Sequence, residues 1–125
     1  MNAKRKGVRL ERVYDTATKE DGFRVLVDRL WPRGLTKQKA AIDLWMKEVA
    51  PSADLRRWYH ADRTRWPEFR RRYKAELSDP GSAGNGAIKQ LRAIVREHAK
   101  EGGVTLVYGA KDAEQNHALV LLEAL

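Results

Sequence analysis

The chain has 125 residues, 42% hydrophobic and 34% charged, with a net charge of +8 and a pI of about 10.0. That length suits one domain, here residues 1–125, with its own core, and the composition excludes a disordered chain. With no cysteine, disulfides, thiolate metal sites and cysteine nucleophiles are excluded, and no apolar run approaches the roughly 18 residues of a membrane span.

Residues 1–7, MNAKRKG, read as a flexible basic N-terminus that runs into VRLERVYD rather than into an apolar signal core, so a cytoplasmic location is expected. Val8 to Val13 begins as a strand with Val8 and Leu10 on one face and Arg9 and Glu11 on the other. Arg12 then falls on the inward face, where it needs an acidic or anionic partner. The loop DTATKEDG, residues 15–22, is short for a helical crossover. The strands on either side are therefore either antiparallel or joined by a loop in place of a helix.

Val25 to Asp28 reads as a second strand, without polar interruption at Val25, Leu26 and Val27, as a strand covered on both faces requires. Pro32 stops it, so Asp28, Arg29, Trp31 and Arg33 open onto a turn at its end. Thr36 can cap a helix burying Ile42, Trp45, Met46 and Val49. Ser52 can cap a second helix burying Leu55, Trp58 and Tyr59. A third, from about Trp66 to Leu77, places Trp66, Phe69, Tyr73 and Leu77 on one face, with Pro67 tolerated in its first turn. DPGSAGNG, residues 79–86, reads as a loop, followed by a helix from about Ala87 to Lys100 that Gly102 and Gly103 stop.

Val104 to Tyr108 is a further apolar strand ending in Gly109, Ala110, Lys111 and Asp112. The last helix, from about Ala113, carries Glu114, Gln115, Asn116 and His117 in its first turns and is apolar nearly all round afterwards. Such a helix suits either burial or an interface, so a homodimer through it is one expectation. The fold expected is α/β: a small, mainly parallel sheet with Val25–Asp28 and Val104–Tyr108 as neighbours and helices on both faces.

If those two strands are parallel neighbours, their polar ends share one edge, where open α/β sheets bind ligands. A helix N-terminus there favours phosphate or carboxylate. The candidate site is therefore a small-anion or phosphate-bearing ligand site, with hydrolysis or group transfer as its possible chemistry. Arg29, Arg33, Lys111 and Arg12 would meet the anion, Asn116 would orient it, and Trp31 would close over it. Asp28 and His117 are the acid–base candidates. The competing reading gives Asp28 and Arg29 to structural ion pairs, and Lys111 and Asp112 to a turn and a helix cap.

No metal or cofactor is expected. The three histidines lie far apart in the sequence, and GxGxxG, GxxxxGK[ST] and GxSxG are absent. From Pro51 to Leu77, eight Arg or Lys face four acids. Nucleic acid held by Arg56, Arg57, Arg63, Arg65 and Arg70 to Arg72 is thus the alternative to a small anionic ligand. A solvated helix face gives the same pattern, and no helix-turn-helix pattern is present.

The pairing of DRLWPRG with AKDxxxNHA, within GFRVLVDRLWPRGLTKQKAAIDLWMKEVAPSADLRRWYHADRTRWPEFRRRYKAEL and VTLVYGAKDAEQNHALVLLEAL, resembles the YeaO-like branch of the family called domain of unknown function 488. The resemblance extends from about Leu10 to the C-terminus. It implies an α/β domain and no established activity. In the wider family the first strand is followed by a helix, the second ends in an Asp-x-Arg-like turn, and a Cys-His pair heads the helix after the last strand. Asn116 and His117 fall where that pair would be, so thiol chemistry does not carry over.

Overall fold

The computed structural model describes residues 4–5 and 7–125. Its strands are β1 (Lys4–Arg5), β2 (Val8–Arg12), β3 (Phe23–Leu26), β4 (Leu44–Trp45) and β5 (Val104–Tyr108). The helices are α1 (Lys37–Ala40), α2 (Ala53–Ala61), α3 (Trp66–Ser78), α4 (Ala83–His98) and α5 (His117–Ala124), with 3-10 turns at Lys19–Asp21, Lys47–Val49 and Arg63–Arg65. The strands form one sheet in the order β1-β2-β5-β3-β4. All five residues of β5 are buried, as its central position demands.

The strands β2, β5, β3 and β4 are parallel, and β1 alone runs antiparallel. The expected neighbours β3 and β5 pair with Val25 opposite Leu106 and Leu26 opposite Val107, and Val27 N–H extends the ladder to Val107 O at 3.0 Å. The single-domain α/β class holds. Of the expected flexible segment 1–7, residues 1–3 and 6 lie outside the described residues, while Lys4–Arg5 pair with the edge of β2.

Alternation sorts the sheet into two faces. Val8, Leu10, Val25, Val27, Val104, Leu106 and Tyr108 share the large core with Leu55, Tyr59, Phe69, Tyr73, Leu77, Ile88, Leu91 and the apolar side of α5. On the opposite face Val13, Ala40 and Val107 form a smaller cluster under Trp31, Leu35 and Ile42. That face also buries Glu11, Asp21, Arg24 and Thr105. Arg24 is 4% exposed and bonds Asp21 at 2.6 Å and Glu11 at 3.4 Å. Its remaining donors reach Ala40 O and Ala41 O, each at 3.0 Å.

Those last two bonds correct the helix expected from Thr36 through Val49. Thr36 caps a helix, but one that ends at Ala40, with Ala41 left-handed at φ 52°. Arg24 takes its terminal carbonyls, and Asp43 then bonds the Arg24 backbone through both its own N–H and its carboxylate. The chain is thereby laid along the free edge of β3 as β4, because unpaired ladder groups outweigh helix propensity.

The direction of β2 is settled as parallel, by a loop in place of a helix. Residues 13–22 cross over β5, where Thr105 Oγ1 donates to Asp21 O at 2.6 Å. Gly22 makes so tight a crossing possible. It sits at φ 64°, and a Cβ there would stand 2.4 Å from Gly103 O.

Two further helix starts are corrected. Ser82 caps α4 at Ala83 by accepting Asn85 N–H, so residues 83–86 are helical despite their glycines. At the other end of the chain, Asp112 Oδ1 accepts Glu114 N–H and Gln115 N–H at 2.8 and 3.0 Å, holding a turn that delays α5 to His117. In α5 Ala118, Val120, Leu121 and Leu122 are buried within the chain itself, which accounts for the helix's apolar character. Among the described residues no helix is long and apolar enough to cross a membrane.

Candidate functional site

At the carboxyl ends of β3 and β5 the chain leaves the sheet on both strands at once, and a cleft of about 190 Å³ opens there. The first residue past the β3 ladder on the cleft side is Asp28. Its Oδ2 accepts Gly109 N–H at 2.9 Å, and its backbone carbonyl accepts Trp45 Nε1–H at 2.7 Å. His117, the first residue of α5, brings Nε2 to 3.0 Å from Val27 O and 3.3 Å from Asp28 Oδ1. The hydrogen bond is the one to Val27, since Asp28 Oδ1 is buried without a hydrogen-bond partner. The pair Asp28 and His117 is thus assembled as the sequence suggests, from segments about ninety residues apart.

The other expected residues divide. Arg29 lines the cleft, but its guanidinium already donates to Pro51 O at 3.2 and 3.3 Å and to Ala50 O at 3.5 Å. Asn116 also lines it and is spent as the cap of α5: Oδ1 accepts Leu119 N–H and Nδ2 donates to Asp112 O, both at 2.9 Å. Arg33 and Lys111 are exposed and stand outside the lining. Trp31 lies on the opposite face of the sheet, donating to Leu35 O at 2.7 Å and set edge-on to Trp45. Arg12 does point inward, but its partners are Ala110 O at 2.9 Å and the Tyr14 ring, in place of the acid expected.

The free cations of the cleft come from α2 and the turn that follows it. Arg56, Tyr59, His60 and Arg63 all line the cleft. Their spacing, i, i+3, i+4 and i+7, is the signal that sequence reading passes over when it takes Arg56 and Arg63 only as members of a basic segment. Among the described residues neither Arg56 nor Arg63 has an ion-pair partner, and Arg63 lies over the Tyr59 ring at 5.6 Å. The remaining arginines of that segment are engaged. Arg57 pairs with Asp54, Arg65 with Asp62, Arg70 with Glu123, and Arg71 and Arg72 with Glu68.

The electrostatics follow from this crowding. Partial desolvation at the cleft wall holds the His60 imidazole below its ordinary pKa, and Arg63, Arg56 and His117 add to the effect. Asp28 is the one acid in the lining. Tyr59 is 4% exposed, and its hydroxyl is buried without a partner. It shares this with Asp28 Oδ1, so the two unpaired buried side-chain atoms of the described residues belong to the wall of a single cleft. Among the described residues no group of three His, Cys, Asp or Glu could hold a metal ion.

The cleft can therefore offer an anion two unpaired guanidinium groups, a histidine and the N-terminus of α5, whose first N–H groups carry partial positive charge. A family profile described as the inactive DUF488-N3 subclade matches residues 7–125. The uncharacterized protein YeaO of Escherichia coli (strain K12) is 45% identical over 118 residues, or 94% of this chain and 96% of its own. An uncharacterized protein of Mycobacterium tuberculosis (strain ATCC 25618 / H37Rv) is 40% identical over 118 residues, or 94% of this chain and 92% of its own. No solved structure matches the chain. The chain belongs to the DUF488 family of YeaO-like proteins, in the subclade described as inactive.

Proposed function

We propose that the cleft at the ends of β3 and β5 binds a small anionic ligand, a carboxylate or a phosphate-bearing molecule, without turning it over. The observation that carries this reading is the pair Arg56 and Arg63, which line one cleft without a salt bridge of their own, Arg63 having only a longer-range attraction to Asp112. Like charges that line one cleft repel, and an anion seated among them relieves that repulsion. Arginine's planar fork suits carboxylate and phosphate oxygens. The reading keeps the expected place of the site and changes its cations, from Arg29, Arg33, Lys111 and Arg12 to Arg56 and Arg63.

Binding without chemistry is supported by three things. The matching subclade is described as inactive, the chain has no cysteine, and the His117 nitrogen nearest Asp28 is engaged by Val27 O. Nucleic acid is the weaker alternative, because five of its seven candidate arginines are paired with acids of the same chain. A thermal-shift screen of sulfate, phosphate and small carboxylates tests the proposal, since a ligand that binds only the folded state raises the melting temperature with concentration. Stabilisation should be lost in Arg56→Ala and Arg63→Ala. Stabilisation that survives both changes together places the anion elsewhere and refutes the reading.

A further inference from the structure

We infer that the anion carries a short apolar body, so that the ligand is a small amphipathic acid and not a polyol derivative. This rests on the binding reading above and adds what the rest of the cleft wall does. The free cations come from α2 and its following turn, whereas Leu30, Ala50, Pro51, Phe69 and Ala110 present mostly hydrocarbon. Apart from Gln115 and the buried Tyr59 hydroxyl, the polar groups a polyol would use there are already committed. The carbonyls of Ala50 and Pro51 accept from Arg29, and the carbonyl of Ala110 accepts from Arg12. Both ends of the Asn116 amide are held within the helix cap. Asp28 Oδ1 is closed from solvent, with the His117 ring at 3.3 Å.

Leu30 adds exposed hydrocarbon to that wall. It is 63% exposed and one of two large hydrophobic side chains among the described residues left so open. The other, Tyr14, is fastened by a hydroxyl bond to Arg33 O. An apolar ligand body that covers this leucine removes its side chain from water, which favours binding. The cleft's volume of about 190 Å³ is room for an anionic head with a few carbons or one ring.

Calorimetric titration of the full chain with acetate, butanoate, benzoate and glycerate tests the inference, weak members being measured by displacement of benzoate. Affinity should rise by up to about fourfold per methylene from acetate to butanoate, and glycerate should bind more weakly than butanoate. The ratio of benzoate to acetate affinity should shrink by at least about threefold in Leu30→Ser, a change at an exposed position. Phenyl phosphate in place of benzoate reads which head group is preferred. A flat series, glycerate binding as well as butanoate, or an unchanged ratio in Leu30→Ser overturns the inference, and if Arg56→Ala still abolishes binding the anion reading stands without it. Absence of binding by every acid and phosphate removes both.

Discussion

Gly109 and Asp28 are fitted to each other: the Gly109 N–H donates to Asp28 Oδ2 at 2.9 Å, and a Cβ on Gly109 would lie 2.9 Å from that same oxygen. The two residues close the ends of neighbouring strands and fix the carboxylate beside His117. Gly109→Ala should force the carboxylate out and cost about 1–3 kcal/mol, the usual penalty for stripping a buried polar group of its bond. In an Asp28→Ala background the same change should cost little, and a double-mutant cycle by urea denaturation measures the coupling.

Arg24 holds together the face of the sheet opposite the cleft. Its guanidinium bonds Asp21, Glu11 and the carbonyls that end α1. Replacing it leaves two buried carboxyl groups without their cation. Arg24→Met should therefore destabilise the chain by about 3–5 kcal/mol, checked by chemical denaturation, while Arg57→Met at an exposed pair should change stability little.

The same cluster predicts a pH dependence of folding. Glu11 is pushed up to about 7, first by burial and then by the neighbouring Asp21 carboxyl. A carboxyl raised on folding stabilises fully below its unfolded value of 4.5 and loses that contribution as pH rises through about 7. Asp21 behaves oppositely: burial works to raise it, but bonds from Thr18 and Arg24 prevail and hold it low, so its contribution is lost only as pH falls below 3.8. Stability should thus decline between pH 4.5 and 7, and Glu11→Gln should flatten that decline in melting curves taken across the range. A slope that survives the substitution assigns it to another group.

His60 gives the cleft its own pH signature. Its imidazole is held low by partial desolvation and by Arg63, Arg56 and His117. An anion seated among those cations raises it, so by linkage binding tightens as protons are added. Affinity for sulfate should increase between about pH 7.5 and 5.5, and His60→Gln should remove most of that increase. The titration is read at constant ionic strength, because exposed charges are screened by salt.

Much of the sheet is legible in the sequence because unbroken apolar runs such as Val104–Tyr108 have few alternatives. The parallel pairing of β3 with β5, the shared edge and the spans of α2 and α3 all follow from periodicity and caps. Long-range bonds decide what periodicity does not reach. Arg24, which precedes the apolar run Val25–Val27, ends α1 from across the sheet and makes β4 possible. Gly22 replaces a crossover helix by approaching Gly103, which no local pattern reveals. Asp28 and His117 are placed by two strand ends that are each recognisable. Arg56, His60 and Arg63 show their shared face only when cations, and not apolar residues alone, are tested for helical spacing.

The three histidines allow the central claim to be tested in one experiment. His60 and His117 line the cleft, whereas His98 stacks on Phe23 at 4.2 Å, at the opposite end of β3. Ring-proton NMR spectra of the chain titrated with a small anion such as benzoate at fixed pH and ionic strength should show saturable shifts at His60 and His117 with one dissociation constant. His98 should stay still, and Arg56→Ala together with Arg63→Ala should abolish the response. No saturable shift at His60 or His117 with any small carboxylate or phosphate, or shifts equal at all three rings and unchanged in the double variant, would contradict an anion site in this cleft.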